Sequence, residues 1–384
     1  MRILYVSADP GVPVLGHKGA SVHVRELATA LARAGASVTI ASPRIEPAGD
    51  KLRTPLDLVP IPSVEAKSAD RGAVVAMALE QTERLVAIAS ALRPDAVYER
   101  YSLFGGAGVE AARRLGVTHV LEVNAPLRDE AARFRTLPHP ELAAELERRV
   151  FACTDRIFVV SEELGDLLRR NGTPPSKLEV LANAVAPEHF PLAERPAGGE
   201  LTVGFAGSLK PWHGVDVLLE AARLACAAEA RLRFEIVGGG PLAVLLDAVD
   251  LPPERFCRHG VLPHVEAIAI LRRWHIGVAP YLPVGDFYFS PLKVLEYMAG
   301  GACVVASDLG QIRTLLAGGE RGVLVEPGDP VALAEALVRL ARTPERVTEL
   351  GARAREYVLA SHTWEGNAGR VLEALAACGR QAAA

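Results

Sequence analysis

The residues with the clearest capacity for chemistry lie in the stretch 281–301, YLPVGDFYFSPLKVLEYMAGG. Ser290 and Pro291 predict the N-cap and the first residue of a helix. The N–H groups that follow, beginning with that of Leu292, have no partner within a helix. Lys293 adds a cation to the first turn, which the helix dipole disfavours unless an anion binds there. The stretch therefore predicts an anion site at the start of a helix.

Glu296 lies three residues after Lys293, so the two side chains share one face of the predicted helix. The free N–H groups and the Lys293 ammonium suit a phosphate, and the Glu296 carboxylate can accept hydrogen bonds from ribose hydroxyls. A nucleotide or a phosphorylated sugar would satisfy these groups. The alternative is a buried helix with one Lys–Glu pair on its surface, and the local sequence leaves both interpretations open.

Two further glycine-containing loops follow predicted strands in the same half of the chain. The first, GSLKPWHG at 207–214, carries Lys210 and His213, and its terminal glycines allow close approach to the backbone. The second, GGGP at 238–241, is a strand-to-helix turn of the same kind. Each loop taken alone is also compatible with a simple turn, which for the first loop would expose Lys210 to solvent.

The amino-terminal half has its own glycine loop, GHKGAS at 16–21. It is neither the G-x-x-x-x-G-K-[ST] of a P-loop nor the G-x-G-x-x-G of a dinucleotide site, so P-loop phosphoryl transfer and NAD binding both lose their main signature. Gly19 and Ala20 can still bring N–H groups to an anion, ahead of a helix predicted from Ser21. His23 lies in the first turn of this predicted helix. It is interpreted equally well as a structural or a catalytic residue.

Glu122 and Asn124 stand at the end of a predicted strand, 117–123, where a substrate would lie in a parallel sheet. A local turn stabilised by the Asn side chain is the structural alternative. We interpret the pair as part of the acceptor side of a site. No cluster of histidines in the sequence has the spacing of a metal site.

The periodicity of the chain predicts two α/β halves that position these loops. Apolar runs at 2–8 and 201–206 each precede a glycine loop and a helix, which is typical of a doubly wound parallel sheet. The segment 187–200, with three prolines and two glycines, predicts the linker. Because ligands bind at the carboxyl ends of parallel strands, two such domains imply a cleft for two substrates. An amphipathic helix from Trp364 to about residue 377 ends the pattern.

Composition and charge narrow the class of protein. The chain has 384 residues, of which 50% are hydrophobic and 23% charged, as in an ordinary soluble protein of two domains. The net charge of −4 argues against nucleic acid as the main partner. The 5 cysteines have no C-x-x-C spacing and predict buried thiols in a reducing cytoplasm. No signal peptide and no apolar run of about 18 residues is apparent. A cytoplasmic protein is therefore expected, with peripheral attachment to the inner face of the membrane left open.

The motifs occur along the chain in the order GHKGAS, GSLKPWHG, VGGGP and SPLKVLEYMAGG. In this combination the whole chain resembles the family 4 glycosyltransferases, a retaining GT-B class that uses nucleotide-sugar donors. The carboxy-terminal half carries the more specific motifs. The resemblance implies two Rossmann-like doubly wound domains that face each other across a cleft. They would be an acceptor-side domain at 1–190 and a donor domain at 191–362, with a helix at 363–384 crossing back to the first domain.

The resemblance also implies roles for individual residues. Lys210 and Lys293 would hold the donor diphosphate, and Glu296 would bind the ribose. We add His23 to these lysines as a predicted catalytic residue. The other predicted donor-site residues are Gly19, Ala20, Gly207, Ser208, His213, Gly239, Asp286, Ser290, Pro291 and Leu292. No metal and no cofactor is predicted, because the nucleotide sugar is itself a substrate.

Two places depart from the family pattern. Many members have two glutamates separated by seven residues, ending at the glutamate of VLEYMAGG, and Tyr288 stands where the first would be. Asp286 is the candidate replacement. The first loop of the second half often has Arg and Lys where this chain has Ser208 and His213, and Lys210 would then supply the charge. Members with SPLK exist, which indicates a subgroup rather than an inactive enzyme.

The predicted reaction follows from charge. Cleaving a sugar–diphosphate bond leaves negative charge on the diphosphate, which lysines and helix N–H groups stabilise without an acid catalyst or a metal. The sugar would move to a hydroxyl of a glycan, a lipid-linked glycan or a small molecule, and retention of configuration is implied by the resemblance alone. The alternatives are a nucleotide-sugar epimerase or phosphorylase on the same architecture, and a non-catalytic nucleotide-sugar binding module. An oxidoreductase is the least favoured of the alternatives.

Overall fold

The computed structural model describes residues 1–45, 55–192, 195, 199–283, 285 and 287–382. The chain forms two compact units. The first unit comprises Met1–Ala182 together with Trp364–Ala384, and the second comprises Asn183–Thr363. The first unit is therefore discontinuous in sequence. The residues at 183–190 belong to the second unit.

A parallel sheet lies at the centre of each unit. The strands are β1 Arg2–Ser7, β2 Ser37–Ser42, β3 Asp57–Pro60, β4 Ala96–Arg100, β5 Thr118–Val123, β6 Arg156–Val159, β7 Leu178–Val180, β8 Leu201–Ala206, β9 Leu232–Val237, β10 Phe256–Gly260, β11 Ile276–Ala279, β12 Cys303–Ser307 and β13 Val323–Val325. The order in the first unit is β3-β2-β1-β4-β5-β6-β7, and in the second it is β10-β9-β8-β11-β12-β13. Both sheets therefore have the doubly wound topology that the sequence predicts.

Burial explains why these strands are visible in the sequence. Every residue of β5, β11 and β12 is buried, as is all of β1 after its first residue. Strands covered on both faces are near-continuous apolar runs. The strand order reverses between β1 and β4 in one unit and between β8 and β11 in the other. At such reversals ligands bind beyond the carboxyl ends of the strands, so the loops after β1, β4, β8 and β11 are the places to look for a site.

Helices cover the two sheets. They are α1 Gly19–Arg33, α2 Arg71–Leu92, α3 Ala107–Leu115, α4 Leu127–Phe134, α5 Pro140–Cys153, α6 Glu162–Arg170, α7 Val215–Ala228, α8 His264–Leu271, α9 Leu292–Ala299, α10 Gln311–Leu315, α11 Pro330–Arg342, α12 Pro344–Ser361 and α13 Trp364–Ala382. The sequence did not predict α4, because only Ala131 of this helix is buried and an apolar stripe is missing. The helix predicted after GGGP is a 3₁₀ helix, Pro241–Ala248. Among the described helices, none combines the length and the apolar character needed to cross a membrane.

The last helix, α13, is part of the first unit. It packs against α1 and β5 and extends to Ala382, beyond the predicted end near residue 377. Asn367 Nδ2 donates to the carbonyl of Ala182 at 2.8 Å, and Arg370 Nη2 donates to Glu179 Oε1 at 2.6 Å. These bonds attach the helix to β7 and to the segment that follows it.

The cysteines are all free thiols, but they are not all buried as predicted. Cys303 and Cys378 are buried, Cys226 and Cys257 are half-buried, and Cys153 is exposed. The prediction is wrong for the last three because an apolar neighbourhood in sequence does not fix which way a side chain faces. Cys153, for example, is the final residue of α5.

Candidate active site

The predicted anion site lies at the start of α9. Ser290, the predicted N-cap, bonds to another residue there instead of capping the helix. Pro291 occupies the N-cap position, and it makes no side-chain capping hydrogen bond. Ser290 does not cap the helix, contrary to the prediction. Its Oγ accepts from the backbone N–H of Asn183 at 3.0 Å, and its carbonyl accepts from Asn183 Nδ2 at 2.6 Å. The N–H groups of Leu292 and Lys293 consequently have no acceptor in the described part of the chain.

Lys293 is a buried cation without a hydrogen-bond partner among the described residues. The residue is 9% exposed, and its Nζ is one of the buried polar atoms that meet no acceptor there. Nζ lies 4.2 Å from the ring centroid of Phe205 and 5.0 Å from that of Tyr281, so two aromatic rings hold the ammonium. Burial lowers the pKa of Lys293 to about 7, against the opposing attraction of Glu296. An anionic ligand would give the buried Lys293 ammonium the hydrogen-bond acceptor that it does not have among the described residues.

The loop after β8 keeps space open beside Lys293. Gly207 has φ +142°, and a Cβ at this position would lie 2.9 Å from Lys293 Nζ. The N–H of Gly207 donates to the carbonyl of Val237 at 2.9 Å, and the carbonyl of Gly239 accepts from the N–H of Leu209 at 3.0 Å. The loops after β8 and β9 are thereby joined, as expected if both glycine turns serve one site.

His213 is a neutral member of this group. Its Nδ1–H donates to the carbonyl of Ser208. Burial, followed by the positive charge of Lys293 and that of Lys210, lowers the pKa of His213 to about 3. The imidazole therefore adds no charge to the site, and Lys210 is a second lysine whose charge acts on His213. The Nζ of Lys210 lies 4.7 Å from the ring centroid of Trp212.

Glu296 forms no ion pair with Lys293, so the structural alternative for this stretch is wrong. Oε1 of Glu296 lies 2.7 Å from Nε2 of His264, the first residue of α8. Its Oε2 has no hydrogen-bond partner in the residues that the structure describes. Sequence reasoning missed His264, because a contact between residues 32 positions apart leaves no local motif.

The segment before α9 has aromatic rings where the family that the sequence resembles often has a carboxylate. Tyr288 is 8% exposed, and its ring centroid lies 4.5 Å from that of Phe289. The ring of Phe287 packs edge-on against Tyr281 at 5.2 Å. Asp286, the predicted replacement for the carboxylate, lies outside the described residues, so its role stays a prediction.

Arginines hold the far end of α9. Arg195 donates from Nη2 to the carbonyl of Gly300 at 2.9 Å and from Nε to that of Trp274 at 2.8 Å. Arg355 Nη1 donates to the carbonyl of Ala299. Cations at this end satisfy the last carbonyls and complement the helix dipole. The helix is thus anchored at its carboxyl end while its amino end stays open.

In the first unit, Glu122 is the centre of a buried polar cluster rather than a residue on an open rim. It is 1% exposed. Its carboxylate accepts from Tyr98 Oη at 3.0 Å, from Tyr5 Oη at 3.4 Å and from Asn124 Nδ2 at 2.5 Å. Burial by itself raises the pKa of Glu122, but the attraction of His23 and the other donors outweighs it and holds the pKa at about 2.

Nε2 of His23 faces Oε1 of Glu122, and the ring of His23 packs edge-on against Trp364 with centroids 4.8 Å apart. Because α1 begins at Gly19, His23 lies in the second turn and not the first. Gly19 and Ala20 are helical residues rather than a turn ahead of the helix. The predicted residues therefore form two groups: His23, Glu122 and Asn124 in the first unit, and Lys210, His213, Gly207 and Lys293 in the second.

Arg25 is a further buried residue that the sequence analysis missed. It is 6% exposed, and its Nη1 donates to the carbonyl of Val14 at 2.9 Å and to that of Gly16 at 2.6 Å. The guanidinium thus fastens the glycine loop of the first unit to α1. An arginine on an otherwise apolar helix face is the signal that could have indicated it.

Two family profiles match the chain. The profile described as glycosyl transferase 4-like domain matches residues 18–184, and the profile described as glycosyl transferases group 1 matches residues 200–343. The second match contains both glycine loops around Lys293 and the whole of α9. The chain belongs to the family 4-type glycosyltransferases. This glycosyltransferase is therefore a transferase enzyme, and its assignment to an SPLK-type subgroup stays a prediction.

Relatives and solved structures agree with this assignment. The D-inositol 3-phosphate glycosyltransferase of Frankia alni is 28% identical over 380 residues, covering 90% of this chain and 91% of the relative. The sucrose-phosphate synthase of Thermosynechococcus elongatus superposes with a TM-score of 0.75 at 20% identity, covering 98% and 99% of the two chains. Anabaena HepE in complex with UDP-glucose gives a TM-score of 0.72 at 15% identity, covering 98% and 100%. The glycosyltransferase therefore has the GT-B fold of two Rossmann-like domains.

Proposed function

We propose that this glycosyltransferase moves a sugar from a nucleoside-diphosphate sugar to an acceptor hydroxyl with retention of anomeric configuration. The observation that carries the proposal is the buried ammonium of Lys293, which has no partner among the described residues and lies at the uncapped start of α9. HepE, which has the same fold, was solved with UDP and with UDP-glucose. Both observations support a nucleotide-sugar donor.

Lys293 would bind the diphosphate of that donor. As the bond between the anomeric carbon and the diphosphate oxygen breaks, negative charge collects on that oxygen. The ammonium of Lys293 and the N–H of Leu292 are already in place, so they stabilise this charge without reorganisation. Lys210 adds a second cation, and Glu296 would accept from the ribose hydroxyls. We propose that this set of groups works without a metal ion.

Retention of configuration is part of the proposal because the family resemblance implies it. The acceptor hydroxyl would attack the anomeric carbon from the face that the diphosphate leaves. The departing diphosphate oxygen could then take the proton of the acceptor. His23 stays a predicted catalytic residue, and Glu122 with Asn124 would shape the acceptor side through the cluster that holds His23.

A panel of nucleoside diphosphates tests the donor class. We expect at least one of UDP, GDP, ADP, CDP and dTDP to raise the melting temperature, because a ligand at 100 times its Kd adds about 2.7 kcal/mol of stability. The corresponding nucleotide sugar should be consumed in the presence of an acceptor at the same rate with and without EDTA, and proton NMR of the product should show the anomeric configuration of the donor. A chain that none of the five nucleotides stabilises contradicts the proposal.

Binding of the diphosphate should take up a proton. At pH 8 most Lys293 side chains are neutral, since their pKa is about 7, and an adjacent diphosphate favours the ammonium. We expect UDP binding at pH 8 to take up close to one proton, and its affinity to rise roughly tenfold or more between pH 9 and pH 7. His213 contributes nothing in this range, because its pKa is about 3.

Calorimetry in two buffers of different ionisation enthalpy measures this proton uptake. The matched variant is Lys293→Met, which should bind UDP more weakly and without proton uptake. Equal proton uptake by the wild type and the variant would assign the proton to another group.

A further inference from the structure

Glu296, the residue that the proposed function assigns to the ribose, is held by a histidine from a neighbouring helix. Nε2 of His264 lies 2.7 Å from Oε1 of Glu296, and the two side chains are 16% and 15% exposed. The ring of His189 packs edge-on against that of His264 with centroids 6.4 Å apart, and His189 is itself buried. The imidazole is therefore restrained on one side by a ring and on the other by the carboxylate.

The contact with His264 makes the two oxygens of the Glu296 carboxylate different. Oε1 faces His264, whereas Oε2 has no hydrogen-bond partner in the part of the second unit that the structure describes. A glutamate side chain loses rotational freedom when it is fixed, and a contact that fixes it before the ligand arrives removes that loss from the binding step. A charged carboxylate oxygen held in place is also a strong acceptor for hydroxyl donors.

We propose that His264 is a positioning residue of the donor site, which orients Glu296 so that Oε2 meets the ribose hydroxyls of a ribonucleoside diphosphate. The proposal rests on the proposed function, because it takes the start of α9 as the nucleotide site. It adds a discrimination between ribose and deoxyribose that depends on a residue outside α9. The ammonium of Lys293 would bind the diphosphate in either case, so the two effects are separable.

Calorimetry with UDP and 2′-deoxy-UDP on the full chain tests this role. The wild type should prefer UDP. His264→Ala should weaken UDP binding about 3- to 10-fold and 2′-deoxy-UDP binding less, so that the preference falls, while kcat at saturating donor stays within about twofold. His264→Gln, whose amide N–H can also donate to Glu296, should recover part of the preference.

His259→Gln is the matched control. His259 belongs to the same unit, is half-buried and contacts a carboxylate, with Nε2 lying 3.3 Å from Oε2 of Glu235. This variant should keep the full preference for UDP.

Two results for a His264→Ala protein that melts like the wild type would overturn the assignment. One is an unchanged preference for UDP, and the other is an equal weakening for both nucleotides, which indicates a purely structural role. A wild-type chain that none of the five nucleoside diphosphates stabilises overturns the proposed function and this assignment together, so the two failures are distinguishable.

Discussion

Replacing Lys293 by Met is expected to lower kcat/KM by roughly 10²- to 10³-fold, the usual effect of removing one preorganised charge-stabilising donor. The same variant should be more stable than the wild type by roughly 1–4 kcal/mol at pH 7, because an apolar side chain of similar volume removes an uncompensated buried charge. Enzyme kinetics and urea denaturation measure the two effects. Loss of activity together with a gain in stability is the pattern of a group kept for function.

The pH dependence of this stability gain has a definite sign. The pKa of Lys293 is about 7 in the folded chain against an ordinary value of 10.5, so between these values the unfolded chain holds more protons. Deprotonation of Lys293 therefore stabilises the wild type as the pH rises through this window. The advantage of Lys293→Met should be largest at pH 7 and below, and should shrink toward pH 10.

Lys67 provides the control for this substitution, because it is exposed and belongs to the first unit, whereas α9 belongs to the second. Lys67→Met should change neither activity nor stability appreciably. Near-normal transfer by the Lys293→Met variant, with a normal fold, would remove Lys293 from the mechanism.

Replacing Glu122 by Gln should destabilise the first unit by roughly 3 kcal/mol at pH 7. The pKa of Glu122 is about 2 against an ordinary 4.5, and a difference of that size converts to this free energy. The substitution leaves His23 without its anionic partner, and it does the same to Arg100, whose Nη1 lies 3.6 Å from Oε1. Urea denaturation of both proteins as a function of pH measures the loss.

The difference between wild type and Glu122→Gln should itself depend on pH. A carboxylate with a lowered pKa stabilises the fold above its unfolded pKa, so the difference should be full above about pH 4.5 and vanish as the pH falls toward 2. Glu83→Gln is the control, because Glu83 also pairs with an arginine, Arg114, at 2.8 Å but is 62% exposed. That variant should unfold like the wild type, since exposed ion pairs add little. A small effect at Glu122 would mean that its cluster is not maintained by charge.

The sequence predicted the sheets better than the surroundings of the site. Strands buried on both faces are continuous apolar runs, so the bounds of β8 agree with the predicted 201–206. A helix was predicted after GGGP without its type, because composition alone does not distinguish an α-helix from the 3₁₀ helix found at Pro241–Ala248. The place of Lys293 in the first turn of α9 could be predicted, since it depends on neighbours in sequence, and anion binding there stays a prediction.

Contacts over long sequence distances account for what the sequence did not predict. Ser290 is of a residue type that often caps helices, but its hydroxyl accepts from the backbone N–H of Asn183, which is 107 positions away. Glu122 ends a strand as predicted, yet the tyrosine hydroxyls that bury it come from β1 and β4. Local sequence patterns identify which residues can do chemistry. The residues that contact and bury them depend on the strand order.

The discontinuity of the first unit has a consequence for biosynthesis. Trp364, which packs against His23, and Asn367, which bonds to Ala182, are made only after the whole of Asn183–Thr363 has been translated. At about 5–20 residues per second, the first unit waits on the order of 10–40 seconds for its last helix. The second unit, continuous in sequence, has all its strands before that helix is made. The half of the enzyme whose synthesis begins first is therefore the half whose last element is translated last.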